Sequence, residues 1–324
     1  MEIIFQIALL VIGFIFLIKG ADWLVDGASS VASNFKVSKL LIGLTIVAFG
    51  TGAPELAVSF SSLINGSTDI LVGNVIGSNI INVLLLIGVA ALIRPIRVKK
   101  DTVSKELPLL LLISTALIVL LLDVNLAEAI INTFSRADAI ICILFFGVFL
   151  YYLFSLARKN KKERKKVEKP KYKLGKSFLL VVVGLAGVVA GSQLVVSSAS
   201  TIAESIGISE RIISLTVIAF GTSLPELITT IVAARKNESD LLVGNIVGSN
   251  IFNICIVLAL PVVFAGSITP NNFEVIDLVM LIFSSALLCI IARRDRKITR
   301  TDGFLMLAIF VIYFGYLAYG AFVA

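Results

Sequence analysis

The chain has 324 residues, of which 58% are hydrophobic and only 15% charged, with a mean hydropathy of +1.03 and a formal net charge of +7. A water-soluble domain is typically about a quarter charged, so these figures exclude an ordinary soluble globule and make the bilayer the solvent. Histidine is absent, which excludes His-dependent zinc sites and Ser–His catalysis.

A bilayer-spanning helix needs roughly 20 mostly apolar residues. Ten stretches approach that length, predicting an all-α integral membrane protein. The first, 3–31, follows Met1-Glu2 without a basic segment and is too long for a cleaved signal peptide. Its Asp22 and Asp26 are read as structural, contacting Lys19 or the outer half of a pathway. The second, 37–64, contains LTIVAFGTGAPEL (44–56), and the third, 70–93, carries most of DILVGNVIGSNIIN (69–82). Spans 107–123 and 137–157 are plainly apolar. The basic run RKNKKERKKVEKPKYKLGK (158–176) is the evident linker, a solvated loop, and is followed by spans 177–203, 208–234, 241–265, 275–292 and 302–321. Cys142, Cys255 and Cys289 lie alone in apolar runs, without metal-ligand spacing, and read as small core residues.

Of the 28 Lys and Arg, all but Lys19, Arg136 and Arg211 fall in alternate loops on one side of this topology. The positive-inside rule makes that side cytoplasmic, with both termini extracellular, in a multi-pass protein of the cell membrane. The net charge therefore reports topology, and no nucleic-acid partner is implied.

The segments 44–56 and 69–82 recur as LTVIAFGTSLPEL (215–227) and DLLVGNIVGSNIFN (240–253), both displaced by 171 residues. The register extends back to Gly13/Gly184 and Gly20/Gly191. Each half, 1–157 and 177–324, holds five spans, and an odd number inverts the second half relative to the first. Inverted-topology repeats mark secondary transporters, whose site lies near the midplane between the halves. A duplication kept for packing would preserve apolar positions; what recurs here is polar, glycine-rich and acidic.

Glu55 and Glu226 sit at equivalent depth in spans two and seven, where a carboxylate costs several kcal/mol unless it meets a cavity, partner or ion. Pro54 and Pro225 precede them, each removing the helical donor for a carbonyl four residues back, at Gly50 and Gly221. The carbonyls of Ala48 and Ala219 share the loosened turn, and the Thr51 and Thr222 hydroxyls lie beside it. On spans three and eight, Asn74, Ser78 and Asn82, and again Asn245, Ser249 and Asn253, form one polar stripe per helix. Asn74 and Asn245 are read as joining helices, whereas Asn82 and Asn253 are expected near the glutamates. Gly73, Gly77, Gly244 and Gly248 permit close helix approach. Oxygen-only ligands select hard cations, and two carboxylates match one Ca²⁺, with Na⁺ able to share the oxygens. Adjacent carboxylates repel one another without a cation, so protons compete for the site. Neither motif supplies the aspartate pair of an intramembrane protease, so the reading is not an enzyme, and no cofactor is implied beyond the transported ions.

The paired GT-x-x-PE and GN-x-x-GSN-x-x-N motifs resemble the α-repeats of the cation/calcium exchanger superfamily, the sodium/calcium exchangers, without the large regulatory loop of animal members. The resemblance implies ten helices in two inverted five-helix repeats. Spans two, three, seven and eight would surround the ions, and spans one and six would slide across them. It further implies that Ca²⁺ and Na⁺ share Glu55 and Glu226, with Thr51, Thr222 and the Ala48 and Ala219 carbonyls as ligands. Ser78 and Ser249 would serve flanking Na⁺ positions, and Asn82 and Asn253 would line the centre. Where the first motif usually reads GTS this chain has Gly52, while Ser223 keeps the hydroxyl in the second. Asn253 stands where potassium-dependent relatives carry Asp, arguing against K⁺ co-transport. The leading reading is a Na⁺/Ca²⁺ antiporter that expels Ca²⁺ by alternating access, working as a monomer. The alternative is a H⁺/Ca²⁺ antiporter.

Overall fold

The computed structural model describes residues 2–126, 131–162, 169–205, 219–270 and 275–323. In chain order these form α1 (Glu2–Phe35), α2 (Lys39–Thr51), α3 (Ala53–Ile64), α4 (Thr68–Ile93), α5 (Thr102–Leu121) and α6 (Arg136–Lys162). There follow α7 (Leu174–Ser205), α8 (Ala219–Thr222), α9 (Leu224–Arg235), α10 (Ser239–Ala265), α11 (Val275–Asp295) and α12 (Arg300–Val323). Among the described residues eight helices are long and apolar enough to cross a membrane, and α2 with α3, bent by 42°, makes a ninth if counted as one span. The remaining span expected from the sequence, 208–234, lies partly outside the described residues.

Proline explains where the bent spans break. Pro54 and Pro225 occupy the first turns of α3 and α9, where a missing N–H costs least. The residues just before, Gly52 (φ −78°, ψ 1°) and Ser223 (φ −87°, ψ 2°), leave helical geometry at the same point of each motif. Each break therefore falls three residues ahead of a glutamate.

Packing distinguishes two tiers. In the most apolar part of α10, 83% of the residues are buried, and in α4 72%, against 17% in α1, so α4 and α10 form the centre. Helix α10 lies against α2 through glycine: a Cβ on Gly244 would stand 2.6 Å from the Leu40 carbonyl oxygen, and one on Gly43 2.5 Å from that of Leu241. Such small-residue crossings let backbones approach where lipid offers no hydrophobic drive for association. Helices α1 and α7, of 34 and 32 residues, pack along much of their length. There a Cβ on Gly20 would stand 2.7 Å from Val188 N, and one on Gly184 2.5 Å from Leu24 N. At 1.5 Å per residue each is about 50 Å long, more than the ~30 Å hydrocarbon thickness.

Smaller ties hold the periphery. Strand β1 (Ile96–Arg97) pairs antiparallel with β2 (Lys297–Ile298), joining the loops after α4 and before α12. The Tyr152 hydroxyl of α6 donates to buried Glu106 of α5, and that of Tyr313 in α12 donates to Asp277 of α11 at 2.6 Å. Glu106 and Asp277 are themselves 171 residues apart. The three cysteines are free and buried, as their apolar settings predict.

The structural reading of Asp22 and Asp26 agrees with the ion pairs they make, but their partner is not Lys19. Their partners are Lys236, at 3.0 and 2.8 Å, and, for Asp26, Lys171 at 2.7 Å. Glu238, two residues beyond Lys236, accepts from Lys39 at 2.9 Å and from the Ser29 hydroxyl at 3.0 Å. The last turns of α1 are thus tied by charge to the α9–α10 turn. Lys19 is three residues before Asp22, whereas the fold brings in Lys236 from far along the chain, which no local spacing announces. Asp26 also holds the Lys171 ammonium charged to higher pH than an ordinary lysine, through their hydrogen bond.

Candidate functional site

The breaks before α3 and α9 bring Glu55 and Glu226 to the centre, where they are 2% and 1% exposed. The two carboxylates are near enough to repel each other. One oxygen of each, Oε2, has no hydrogen-bond partner. A buried carboxylate oxygen without a donor carries its full desolvation penalty, so this pair is held in place by the rest of the fold.

Around them the α4 and α10 stripes supply neutral oxygen and nitrogen. The Thr51 hydroxyl lies 3.4 Å from Asn245 Oδ1. The Ala48 carbonyl gathers three donors: Gly52 N at 3.0 Å, and the Thr51 and Ser249 hydroxyls at 3.5 Å each. Proline therefore does not strip this carbonyl bare, as loosening of the turn alone would suggest. In the second motif the Gly221 carbonyl, deprived by Pro225, accepts from the Ser192 hydroxyl of α7 at 2.8 Å. Its first-half counterpart, Gly50, has Ala21 at the equivalent place on α1, which offers no hydroxyl.

Asn82 and Asn253 open π-helical turns at Asn82–Leu86 and Asn253–Leu258, a distortion frequent at functional sites. Their amides reach across the halves: Asn82 Nδ2 donates to Asn250 Oδ1 at 2.9 Å and Asn253 Nδ2 to Asn79 Oδ1 at 3.3 Å. Asn79 and Asn250 in turn each donate to the other's carbonyl oxygen, at 3.2 Å both ways. These four residues exchange partners under the 171-residue offset. Sequence reasoning passed over Asn79 and Asn250; their identity within both GSN triplets was the available signal. Asn74 and Asn245 join helices as expected, Asn74 by donating to the Glu55 carbonyl oxygen at 3.4 Å.

Of the other expected residues, Ser78 and Ser249 are buried, Ser223 is buried with an unpartnered hydroxyl, and Thr222 is half-buried. Ala219 begins α8, and its side chain lies outside the described residues. Asn82 Oδ1, Asn253 Oδ1, Ser59 Oγ and Thr230 Oγ1 are likewise buried without donors. Ser59 and Thr230 are equivalent positions one turn beyond the glutamates. Among the described residues no three His, Cys, Asp or Glu converge. A cation held here by the two carboxylates therefore completes its shell with hydroxyl, amide and carbonyl oxygen, which suits a hard ion.

The family model for "Sodium/calcium exchanger protein" matches residues 5–155 and 176–319, meeting at the basic linker. The chain belongs to the sodium/calcium exchanger family. It is 38% identical to "Inner membrane protein YrbG" of Escherichia coli (strain K12), over 94% of each chain. It is 30% identical to "Sodium/calcium exchanger MaX1" of Methanosarcina acetivorans, over 96% of this chain and 98% of that one. Its structure superposes on that of the sodium-calcium exchanger NCX_Mj soaked with Na⁺ and Sr²⁺ with a TM-score of 0.82, at 32% identity, covering 96% and 98% of the two chains. For this family member the class is thus a multi-pass membrane exchanger, a transporter rather than an enzyme. The crossed asparagines, Ser192 and the Lys236 ion pairs are features that its sequence motifs alone did not single out.

Proposed function

We propose that the protein is a Na⁺/Ca²⁺ antiporter of the cell membrane that expels Ca²⁺ by alternating access at the expense of the Na⁺ gradient. The observation that carries this reading is the pair Glu55 and Glu226, buried together with unpartnered oxygens. In this reading Ca²⁺ sits between the carboxylates. Thr51, Thr222 and the Ala48 and Ala219 carbonyls complete its shell, Ser78, Ser249 and Ser223 serve flanking Na⁺ positions, and Asn82 and Asn253 line the centre. The halves 1–157 and 177–324 act as inverted repeats around the linker 158–176. Both termini are extracellular, the basic loops cytoplasmic, and one chain suffices.

Obligatory exchange follows from charge. Two carboxylates in a low-dielectric centre carry two negative charges that the bilayer disfavours. One Ca²⁺ neutralises them, and so do Na⁺ ions on the same oxygens. An unloaded site pays that unscreened repulsion when it is closed off from water, so the site changes sides loaded. Helices α1 and α7 are suited to move as the sliding pair: they touch each other through glycine along much of their length. Leu185 of α7 packs over Gly50, beside Thr51, so a shift of α7 alters cover over the ligands directly.

The test is ⁴⁵Ca²⁺ uptake by proteoliposomes loaded with Na⁺ and diluted into Na⁺-free medium at fixed pH. Uptake should require the outward Na⁺ gradient and collapse when Na⁺ is placed on both sides. Uptake driven by a pH step and indifferent to Na⁺ would overturn the reading. The names of the relatives support Na⁺, rather than protons, as the counter-ion.

The ion pairs of Lys236 with Asp22 and Asp26 tie the sliding pair to the centre on the basic side. Part-exposed pairs of this kind contribute about 0.2–1 kcal/mol each. Lys236→Met should therefore favour opening to the basic side, lowering the Ca²⁺ concentration for half-maximal transport from that side by about two- to fivefold. Unaltered half-saturation from both sides would show that these pairs do not bias the cycle.

A further inference from the structure

The two motifs differ at one position that faces the site: Gly52 in the first, Ser223 in the second. A Cβ on Gly52 would stand 3.0 Å from Cδ1 and 3.2 Å from Cε1 of Phe252, and 3.1 Å from the Ala48 carbonyl oxygen. The place of the missing side chain is thus crowded by the Phe252 ring, beside the carbonyl on which the Thr51 and Ser249 hydroxyls converge. The ring is held: it stacks on Phe49 with centroids 4.9 Å apart and lies 6.3 Å from Phe146. Under the 171-residue offset, the residue equivalent to Phe252 is Ile81, and that equivalent to Gly52 is Ser223. The two differences form a matched pair, Gly with Phe on one side and Ser with Ile on the other. Ser223 is 2% exposed, and its hydroxyl has no partner.

We propose that the pairing of Gly52 with Phe252 makes the two flanking cation positions unequal. With the Phe252 ring crowding Gly52, the position beside the Ala48 carbonyl lacks the hydroxyl ligand that Ser223 supplies at the equivalent position. This rests on the Na⁺/Ca²⁺ reading above. A monovalent ion bound by neutral oxygens depends on every one of them, whereas Ca²⁺ between two carboxylates draws most of its binding from charge. The asymmetry therefore lowers affinity for Na⁺ more than for Ca²⁺.

The experiment measures, in proteoliposomes, ⁴⁵Ca²⁺ exchange against internal Ca²⁺ without Na⁺, and its inhibition by added external Na⁺. Gly52→Ser/Phe252→Ile gives the first half the pairing of the second. The Na⁺ concentration for half-maximal inhibition should fall about three- to tenfold, the size of one neutral oxygen contact, with a smaller shift in Ca²⁺ half-saturation. Phe252→Ile alone opens the space without adding a ligand and should shift Na⁺ inhibition by less than about twofold. Ser223→Ala should raise the inhibitory Na⁺ concentration about three- to tenfold. The proposal is overturned if the double variant exchanges Ca²⁺ with the original Na⁺ dependence, if Na⁺ and Ca²⁺ shift equally, or if Phe252→Ile alone produces the whole shift. Should the double variant fail to exchange Ca²⁺, Ser223→Ala decides, and an unchanged Na⁺ dependence there overturns the proposal. A wild-type protein whose Ca²⁺ exchange ignores Na⁺ would instead refute the Na⁺/Ca²⁺ reading itself.

Discussion

Glu55→Gln and Glu226→Gln should each reduce Na⁺-gradient-driven Ca²⁺ uptake by about 10- to 150-fold, while making the protein more stable without Ca²⁺. The flux loss follows from removing one of two charges from a divalent ligand set in which each charged contact contributes about 1.5–3 kcal/mol. The gain in stability follows from burial. Both side chains are essentially inaccessible, each keeps an oxygen without a donor, and each repels the other. A neutral amide of the same shape relieves that repulsion. Thermal unfolding in detergent with chelator should therefore give a higher Tm for either variant than for the wild type. Added Ca²⁺ should raise the wild-type Tm, by mass action on the folded state, and leave the variants nearly unmoved. A lower Tm in chelator together with retained Ca²⁺ flux would mean that the carboxylates are structural and that the ions bind elsewhere.

Gly184→Val should be the most damaging single change outside the centre. A Cβ at this position would meet Leu24 N at 2.5 Å and the Gly20 carbonyl oxygen at 2.8 Å, and neither backbone atom can move without its helix. Overpacking of this kind costs about 1–3 kcal/mol or more. It also forces α1 and α7 apart along the surface proposed to move as a unit. A Tm lowered by roughly 5–10 °C and exchange reduced well beyond the loss of folded protein are expected. Gly20→Val, the reciprocal change on α1, should behave alike, because its Cβ would stand 2.7 Å from Val188 N. A variant with the original Tm and rate would show that this contact is looser than its geometry requires.

Much of the site was legible before any coordinates. Glu55 and Glu226 declared themselves by depth, since a carboxylate that far into an apolar run has few tolerable roles. Pro54 and Pro225 announced the breaks, because the missing N–H acts on the chain's own backbone. Other features were not legible. The expected small-residue crossing appears at Gly244 and Gly248, against Leu40, Leu44 and Ala48, whereas among the described residues nothing lies within 4 Å of a Cβ on Gly73 or Gly77. Asn79 and Asn250 stood in plain view inside GSN, yet their mutual bonds depend on how α4 and α10 are rotated about their axes. Asp22 and Asp26 were read as structural, contacting Lys19 or the outer half of a pathway, and the fold pairs them with Lys236. Gly52 was recognised as a missing hydroxyl, whereas the ring that crowds its place comes from the other half.

The sequence by itself determined the solvent of this protein, the place of its two glutamates along the apolar runs and its family. All of these are properties of position along one helix, and hydropathy, proline and repeat spacing are written along that same axis. The tertiary structure decided which oxygens meet, which carbonyl Ser192 satisfies, what lies over Gly52 and where α1 is tied. Those depend on helix rotation and on contacts between segments from about 30 to about 215 residues apart. In a bilayer such contacts are chosen by close packing and by the satisfaction of buried polar groups, and neither leaves a period in the sequence.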